Sequence, residues 1–119
     1  GRTRRLDPLV RDLIGGFAAR IEAGRQLAAG CVGQLARGEM PTWEAAVAKV
    51  YAGELLERFC EASLDLLGMP ATLSAGAAGA PLDGRLEQRL RHSLMWVISI
   101  GSNEIQRSLI ARRGLGLPR

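Results

Sequence analysis

The strongest constraint on the fold of this chain is a helical repeat of apolar residues in its first third. After Asp7 and Pro8, apolar residues recur at steps of three and four as far as Leu35, and Gly38 then interrupts the pattern. Asp7 can accept bonds from the free N–H groups of a helix start, and proline is tolerated at the first helical position. The pattern therefore predicts a helix over about residues 8–37, about 40 Å long. The repeating positions are Val10, Ile14, Phe17, Ile21, Ala28, Val32 and Leu35.

A second apolar repeat predicts a helix over residues 43–67. Thr42 stands before it as a capping residue, and Gly68 follows it as a stop signal. Charged residues such as Glu54 and Arg58 fall between the apolar positions, so we expect them on the solvent side.

Residues 69–84 are rich in alanine, glycine, serine and proline, which predicts a flexible loop. No strand precedes this loop and its glycine spacing fits no phosphate-binding motif, so a phosphate cradle is disfavoured.

Two shorter helices are predicted over residues 84–99 and 103–113. Asp83 is expected to cap the first of them and Ser102 the second, because both side chains can accept a hydrogen bond from a free N–H group. Gly114 is the expected C′ residue of the last helix, where glycine adopts a left-handed conformation without strain.

No segment shows the alternation typical of strands, so the sequence predicts an all-α fold, an antiparallel four-helix bundle. The short turn between the first two helices favours antiparallel neighbours. A chain of 119 residues that is 47% hydrophobic suffices for one compact domain, residues 1–119.

Composition disfavours several classes of function. No apolar run approaches the roughly 20 residues that span a bilayer, and no apolar signal region is visible, so we expect no membrane span and a cytoplasmic location. The net charge is +4, with arginines near both ends, and those of residues 2–5 are interpreted as a solvated terminus. Aromatic residues do not interleave with the arginines, which disfavours nucleic acid as a partner. Cys31 and Cys60 have no histidine nearby, so no metal site is expected, while a disulfide between them stays open.

The most distinctive string lies near the C-terminus, where Gly101 to Arg107 reads Gly-Ser-Asn-Glu-Ile-Gln-Arg and residues 115–118 read Leu-Gly-Leu-Pro. It resembles the closing signature of the flavin-dependent acyl-CoA dehydrogenases. The opening at residues 7–12 and the run at residues 64–68 are similar, more weakly, to the starts and ends of helices in the C-terminal domain of that family. That domain is a four-helix bundle, and the resemblance implies that the family's N-terminal helical and middle β domains are absent from this chain.

The resemblance also implies a reaction. These enzymes oxidise the Cα–Cβ bond of an acyl-CoA thioester: a carboxylate removes the α-proton while the β-hydride passes to FAD. The residues that match the flavin-contacting segment of the family are Ser102, Asn103, Glu104 and Gln106. The implied partners are the acyl-CoA substrate, electron-transfer flavoprotein as electron acceptor, and like or unlike subunits in a dimer or tetramer. We expect the chain alone to be inactive and not to retain FAD.

Three residues depart from the family pattern. Ile100 occupies the place of the catalytic glutamate of one large group, and isoleucine cannot accept a proton, so no catalytic residue is expected in this chain. The resemblance places the base on an earlier helix or in an unlike subunit. Asp65 stands where glutamine is common, so it is turned away from the flavin diphosphate, paired with an arginine, or a sign of weaker cofactor contact. Met69 stands where a second glycine is common.

His92, the only histidine, is interpreted as a surface or packing residue rather than a general base. The same reading applies to Trp43, Tyr51, Met95 and Trp96, which are more typical of a core or subunit contact than of a cofactor site. An alternative function fits the departures at Ile100 and Asp65: a non-catalytic structural or oligomerisation bundle that has lost its cofactor role.

Overall fold

The computed structural model describes residues 7–118, and in this range it contains helices and turns but no strand. The all-α prediction is therefore confirmed. The arginines of residues 2–5, read as a solvated terminus, lie outside the described residues, as does Arg119. The four α-helices are α1, Pro8–Ala36; α2, Thr42–Leu67; α3, Arg85–Ile98; and α4, Asn103–Leu109.

Helix α2 is the centre of the bundle. On one side, the hydroxyl of Tyr51 donates a hydrogen bond to the carbonyl oxygen of Arg20 in α1, at 3.0 Å. On the other, Gly53 is buried so closely against α3 that a Cβ there would lie 3.6 Å from the carbonyl oxygen of Trp96. Two residues along an α-helix are about 200° apart, so α1 and α3 pack on opposite sides of α2.

Helices α1 and α2 run antiparallel. Near one end of the pair, Gln34 Nε2 donates to Glu44 Oε1 at 2.9 Å. Near the other, Phe17 is 7% exposed and lies against the ring of Phe59. The order of these contacts is reversed between the two helices, as predicted from the short connection.

The apolar repeat that predicts α1 does not coincide with the face that packs on α2. Of the repeating positions, Phe17 is buried, whereas Ile14 is 58% and Ile21 47% exposed, Val32 65% and Leu35 53%. The packing face instead includes Gly24, whose missing side chain lets the ring of Tyr51 approach: a Cβ there would lie 3.3 Å from Tyr51 Cε1.

The helix starts follow the predictions unevenly. Asp7 caps α1 as predicted, since its Oδ1 accepts from the N–H of Leu9 at 2.9 Å. The prediction for Thr42 is wrong: Pro41 takes the capping position, and the Thr42 hydroxyl donates to the carbonyl of Met40.

The predicted flexible loop between α2 and α3 is largely exposed, but it is buried at Ala71 and Gly84, near its two ends. It contains two 3₁₀ turns, Met69–Thr72 and Pro81–Gly84, and Ala71 is 1% exposed. Gly84 has φ +69°, and a Cβ there would lie 2.3 Å from the backbone nitrogen of Ala75. Small residues thus let the backbone approach itself closely in this segment.

Asp83 does not cap α3, contrary to the prediction. Its Oδ1 accepts from the N–H of Gly76 at 3.2 Å, while Gly84 takes the capping position. The carboxylate therefore closes the preceding loop and leaves the helix start uncapped by a side chain.

Gly114 is not the left-handed residue at the end of the last helix, contrary to the prediction. Helix α4 continues into a π turn, Ile110–Gly114, and the positive φ falls on Gly116. Gly114 instead lies under the ring of Trp43, where a Cβ would come within 3.1 Å of Trp43 Cδ2. Glycine is thus selected here by a close contact rather than by a turn.

The two cysteines are not bonded to each other. Cys60 is 1% exposed, and burial raises the pKa of its thiol. Within residues 7–118, no helix combines the length and apolarity needed to cross a membrane.

Candidate functional site

The predicted site residues lie where α3 passes into α4. The backbone turns sharply there, because Ile100 has φ +56° and Gly101 φ +80°. A left-handed conformation costs an L-residue about 1–2 kcal/mol, and β-branched residues adopt it rarely. Ile100 nevertheless takes it and presents its side chain to solvent, 81% exposed. Surrounding contacts must therefore hold this turn.

Gln106 provides the first of these contacts. Its Nε2 donates to the carbonyl oxygen of Ile100 at 3.0 Å. The amide group lies so close to Gly101 that a Cβ there would come within 2.8 Å of Nε2. Both its positive φ and this contact favour glycine at position 101.

Lys49 provides the second contact, from the middle of α2. Its ammonium donates to the carbonyl oxygen of Gly101 at 3.0 Å and to Asn103 Oδ1 at 2.7 Å. Asn103 is 3% exposed, so its polar side chain requires partners, and Lys49 is one of them.

Glu54 provides the third. Its Oε1 accepts from Asn103 Nδ2 at 3.2 Å and from Arg107, and Arg58 lies 3.8 Å from its other oxygen. The prediction that Glu54 lies on the solvent side is therefore wrong: its side chain is 25% exposed and ties α2 to α4. Arg58, 73% exposed, is on the solvent side as predicted.

The side chains of Ser102 and Glu104 take no part in holding the turn. Ser102 takes the N-cap position of α4, and its carbonyl oxygen accepts from the N–H of Gln106 at 2.9 Å, but its hydroxyl makes no capping bond, contrary to the prediction. A hydrogen bond from the Ser102 hydroxyl, followed by one from the N–H of Glu104 itself, lowers the pKa of the exposed Glu104 carboxylate from its ordinary value.

The four predicted cofactor residues thus divide into two pairs. The side chains of Asn103 and Gln106 are engaged in holding the turn, whereas Ser102, which is half-buried, and Glu104, which is exposed, take no part in holding it and can meet a ligand. Glu104 also borders a cleft of about 390 Å³ between α2, α3 and α4. In chemical terms this surface offers a hydroxyl, an ionised carboxylate and the apolar side chain of Ile100.

Other residues singled out in the sequence lie apart from this turn or on its margin. Asp65 is exposed and takes part in no ion pair among residues 7–118. His92 is exposed, and its ring meets that of Trp96 edge-on at 6.2 Å, which agrees with a packing role. Within the same described range, no group of three or more histidine, cysteine or acidic side chains is arranged to hold a metal.

Sequence reasoning missed Lys49 as a site residue. A signal for it was present: Lys49 is the only lysine among 16 lysine and arginine residues. A chain that otherwise uses arginine throughout has one position where an ammonium group stands instead.

The sequence and the fold were compared with known proteins. A sequence model of the acyl-CoA dehydrogenase C-terminal domain matches residues 1–115. Acyl-CoA dehydrogenase FadE26 of Mycobacterium tuberculosis (strain ATCC 25618 / H37Rv) is 40% identical over 76 residues, which is 64% of this chain and 19% of that protein.

Two solved structures have the same fold. "Tcur3481-Tcur3483 steroid ACAD" has a TM-score of 0.89 and 28% identity over 97% of this chain. The ChsE4-ChsE5 complex from Mycobacterium tuberculosis has a TM-score of 0.86 and 32% identity over 98% of this chain. This chain spans 30% of the length of each solved chain.

Proposed function

Because this chain belongs to the acyl-CoA dehydrogenase family and forms its C-terminal helical domain, we propose that it supplies the flavin-side wall of an oxidoreductase acting on an acyl-CoA thioester. The observation that carries the proposal is the turn between α3 and α4. It holds the family signature in a strained backbone, with the half-buried Ser102 and the exposed Glu104 left free of the contacts that hold the turn.

FAD is the proposed cofactor, and Ser102 and Glu104 suit different parts of it. The proton of the Ser102 hydroxyl is directed to Glu104, so the Ser102 oxygen can accept a hydrogen bond from an N–H group of the flavin ring. Glu104 is ionised, since its pKa is lowered, and two like charges 4 Å apart repel by about 1 kcal/mol in water. Glu104 therefore suits the hydroxyl groups of the ribityl chain rather than the diphosphate. When bound, FAD would supply the hydride acceptor that no side chain provides.

The proton acceptor is proposed to lie outside this chain. Ile100 holds the place of the family's glutamate in one large group, and its exposed side chain can only pack against substrate or flavin. A positioned base contributes about 10²–10⁴-fold to such a reaction. We place that base on an unlike subunit, with a base on an earlier helix as the other arrangement open to the family.

The exposed stripe of α1 supports assembly with such a subunit. It consists of four exposed apolar side chains on one face of the helix, in two pairs with the exposed Arg25 between them, and exposed apolar patches commonly mark an interface. Both solved relatives have titles that name two proteins. We propose that an unlike acyl-CoA dehydrogenase subunit covers this stripe, that electron-transfer flavoprotein accepts the electrons, and that the assembly works in the cytoplasm. The stripe residues are Ile14, Ile21, Val32 and Leu35.

The test is a pair of serine substitutions in the complete enzyme. Ser102→Ala should lower FAD affinity by a few-fold, because a neutral hydrogen bond contributes about 1 kcal/mol. Ser108→Ala, an exposed serine on the same helix, is the matched control and should leave affinity unchanged. FAD titration by fluorescence quenching measures both.

The alternative is a structural or oligomerisation bundle without a cofactor role, and the inward direction of Asn103 and Gln106 favours it. Equal FAD affinity in Ser102→Ala, Gln106→Ala and the parent enzyme would support this alternative and contradict the proposed flavin contact.

A further inference from the structure

The turn that carries the family signature is strained, and two of the three side chains that hold it, Lys49 and Glu54, come from α2, 52 and 49 positions from their partners in the chain. Ile100 and Gly101 are both left-handed. A strained β-branched residue persists only where its surroundings over-determine it. What determines this turn therefore also determines where Ser102 and Glu104 are presented.

The ammonium of Lys49 is the one cation that contacts the backbone of this turn among the described residues. It meets the Gly101 carbonyl oxygen at 3.0 Å and Asn103 Oδ1 at 2.7 Å, so one group bridges the last residue of the turn and the first residue of α4. Gln106 holds the neighbouring carbonyl, that of Ile100. Without Lys49, the Gly101 carbonyl oxygen loses its donor, and so does the Oδ1 of the buried Asn103.

The choice of lysine is informative because every other cationic residue of the chain is arginine. An ammonium is compact and carries three rotatable donors, whereas a guanidinium is planar and larger. The Lys49 nitrogen meets acceptors at 2.7 and 3.0 Å, and a guanidinium would have to fit a larger, planar head group between the same two atoms. Arginine suffices at the solvent-exposed positions, such as Arg25, which is 76% exposed.

We propose that Lys49 is a positioning residue for the cofactor: by clamping Gly101 and Asn103 together, it fixes the left-handed turn and thereby places Ser102 against the flavin. This inference rests on the proposed function. It assigns Lys49 no contact with substrate or flavin, and Glu54 supports it by holding the opposite end of Asn103.

The first experiment measures FAD in the complete enzyme. Lys49→Met keeps the aliphatic stem and removes both hydrogen bonds; we expect FAD affinity to fall by about tenfold or more, with a shifted flavin absorption band, since hydrogen bonds to charged groups contribute at least that factor. Arg91→Met, which removes the ion pair of an exposed arginine with Glu87 on α3, away from both the turn and the α1 stripe, is the matched control and should behave as the parent. Parent-like affinity and spectrum in Lys49→Met would overturn the proposal.

Lys49→Arg tests whether the charge or the compact head group of Lys49 sets the turn. It also serves as a second variant where Lys49→Met fails to fold. It keeps the charge beside Asn103 and should give normal circular dichroism, but its larger head group should displace the turn and still shift the flavin band. Full recovery of affinity and spectrum by arginine would overturn the claim that the compact ammonium sets the turn.

A second measurement does not depend on flavin. Amide hydrogen exchange over residues 99–104, in enzyme stripped of FAD, should be at least several-fold faster in Lys49→Met than in Arg91→Met. Equal exchange rates would overturn the clamp, and faster exchange with unchanged FAD affinity would reduce Lys49 to a structural residue. If the parent enzyme never binds FAD, the proposed function and the positioning role fail, while exchange still decides whether Lys49 sets the turn.

Discussion

The rings of Phe17 and Phe59 meet edge to face, with centroids 5.2 Å apart and an interplanar angle of 89°. This pair joins α1 to α2 at the end remote from their connection. Phe17 is 7% exposed, whereas Phe59 is 40% exposed, so the pair lies at the margin of the core.

Phe17→Ala should weaken the docking of α1. Truncation of a buried phenylalanine costs about 3–5 kcal/mol, and the exposure of Phe59 favours the lower end. Hydrogen exchange of α1 amides in the complete enzyme measures the change. Leu9→Ala, at a position 79% exposed on the same helix, should alter the free energy of opening by less than about 0.5 kcal/mol. Equal effects of the two substitutions would contradict the packing described here.

Gly114→Ala and Gly15→Ala should act in opposite directions. A Cβ at Gly114 would come within 3.1 Å of the Trp43 ring, so the ring must shift, whereas a Cβ at Gly15 meets nothing within 4 Å. Gly15→Ala should stabilise α1 by up to about 1 kcal/mol, since alanine is the better helix former. Thermal unfolding measures both, and Trp43 emission in a Trp96→Phe background reports the ring. A tolerated Gly114→Ala with unchanged emission would show that the contact is loose.

Substitutions at two N-cap positions, Asp7 and Ser102, separate helix stability from cofactor contact. Asp7→Ala removes an observed capping bond and should cost about 1 kcal/mol of helix stability. Ser102→Ala removes no capping bond, so it should cost less than about 0.5 kcal/mol, even where it lowers FAD affinity. Thermal unfolding beside FAD titration gives both quantities. A large loss of stability in Ser102→Ala would mean that its hydroxyl is structural.

Local features of this fold could be predicted from the sequence, and contacts between distant residues could not. The helix periodicity and the Asp7 cap depend on neighbours along the chain. Phe17 and Ile14 are both apolar positions of the same repeat, yet Phe17 is buried and Ile14 is exposed. Periodicity alone could not say which of them faces α2. Lys49 lies 52 positions before Gly101 and 54 before Asn103, and no local sequence pattern indicates contacts over such separations.

The sequence predicted the correct segment for the site, but not which of its residues hold the turn and which can meet a ligand. All four predicted cofactor residues are polar, and a polar residue in a motif indicates contact with a ligand as readily as contact with the protein. Only the fold distinguishes Asn103, 3% exposed, from Glu104, which faces solvent. The caps at Thr42 and Asp83 fail for a similar reason, because each hydroxyl or carboxylate finds another partner nearby.

Glu104 should titrate below its ordinary value in a manner that depends on Ser102. The pKa of Glu104 is lowered in the folded protein, so its contribution to stability is present above about pH 4.5 and is lost as the pH falls through the folded pKa. Ser102→Ala removes the largest cause and should raise the pKa towards 4.5. Carboxylate NMR titration measures it. The same pKa in both proteins would show that the Ser102 hydroxyl does not bond Glu104 in solution.

The exposed stripe of α1 should be needed for assembly with an unlike subunit. Ile21 is 47% exposed at its middle, and a charge at that position would be desolvated in an apolar interface at a cost of several kcal/mol. Ile21→Glu should therefore dissociate the complete enzyme, as measured by light scattering across concentrations. Ala19→Glu is the matched control, because Ala19 is also exposed but lies about 200° around the helix from Ile21, and it should leave the assembly intact. Retention of the full assembly in Ile21→Glu would place the interface on another face of the bundle.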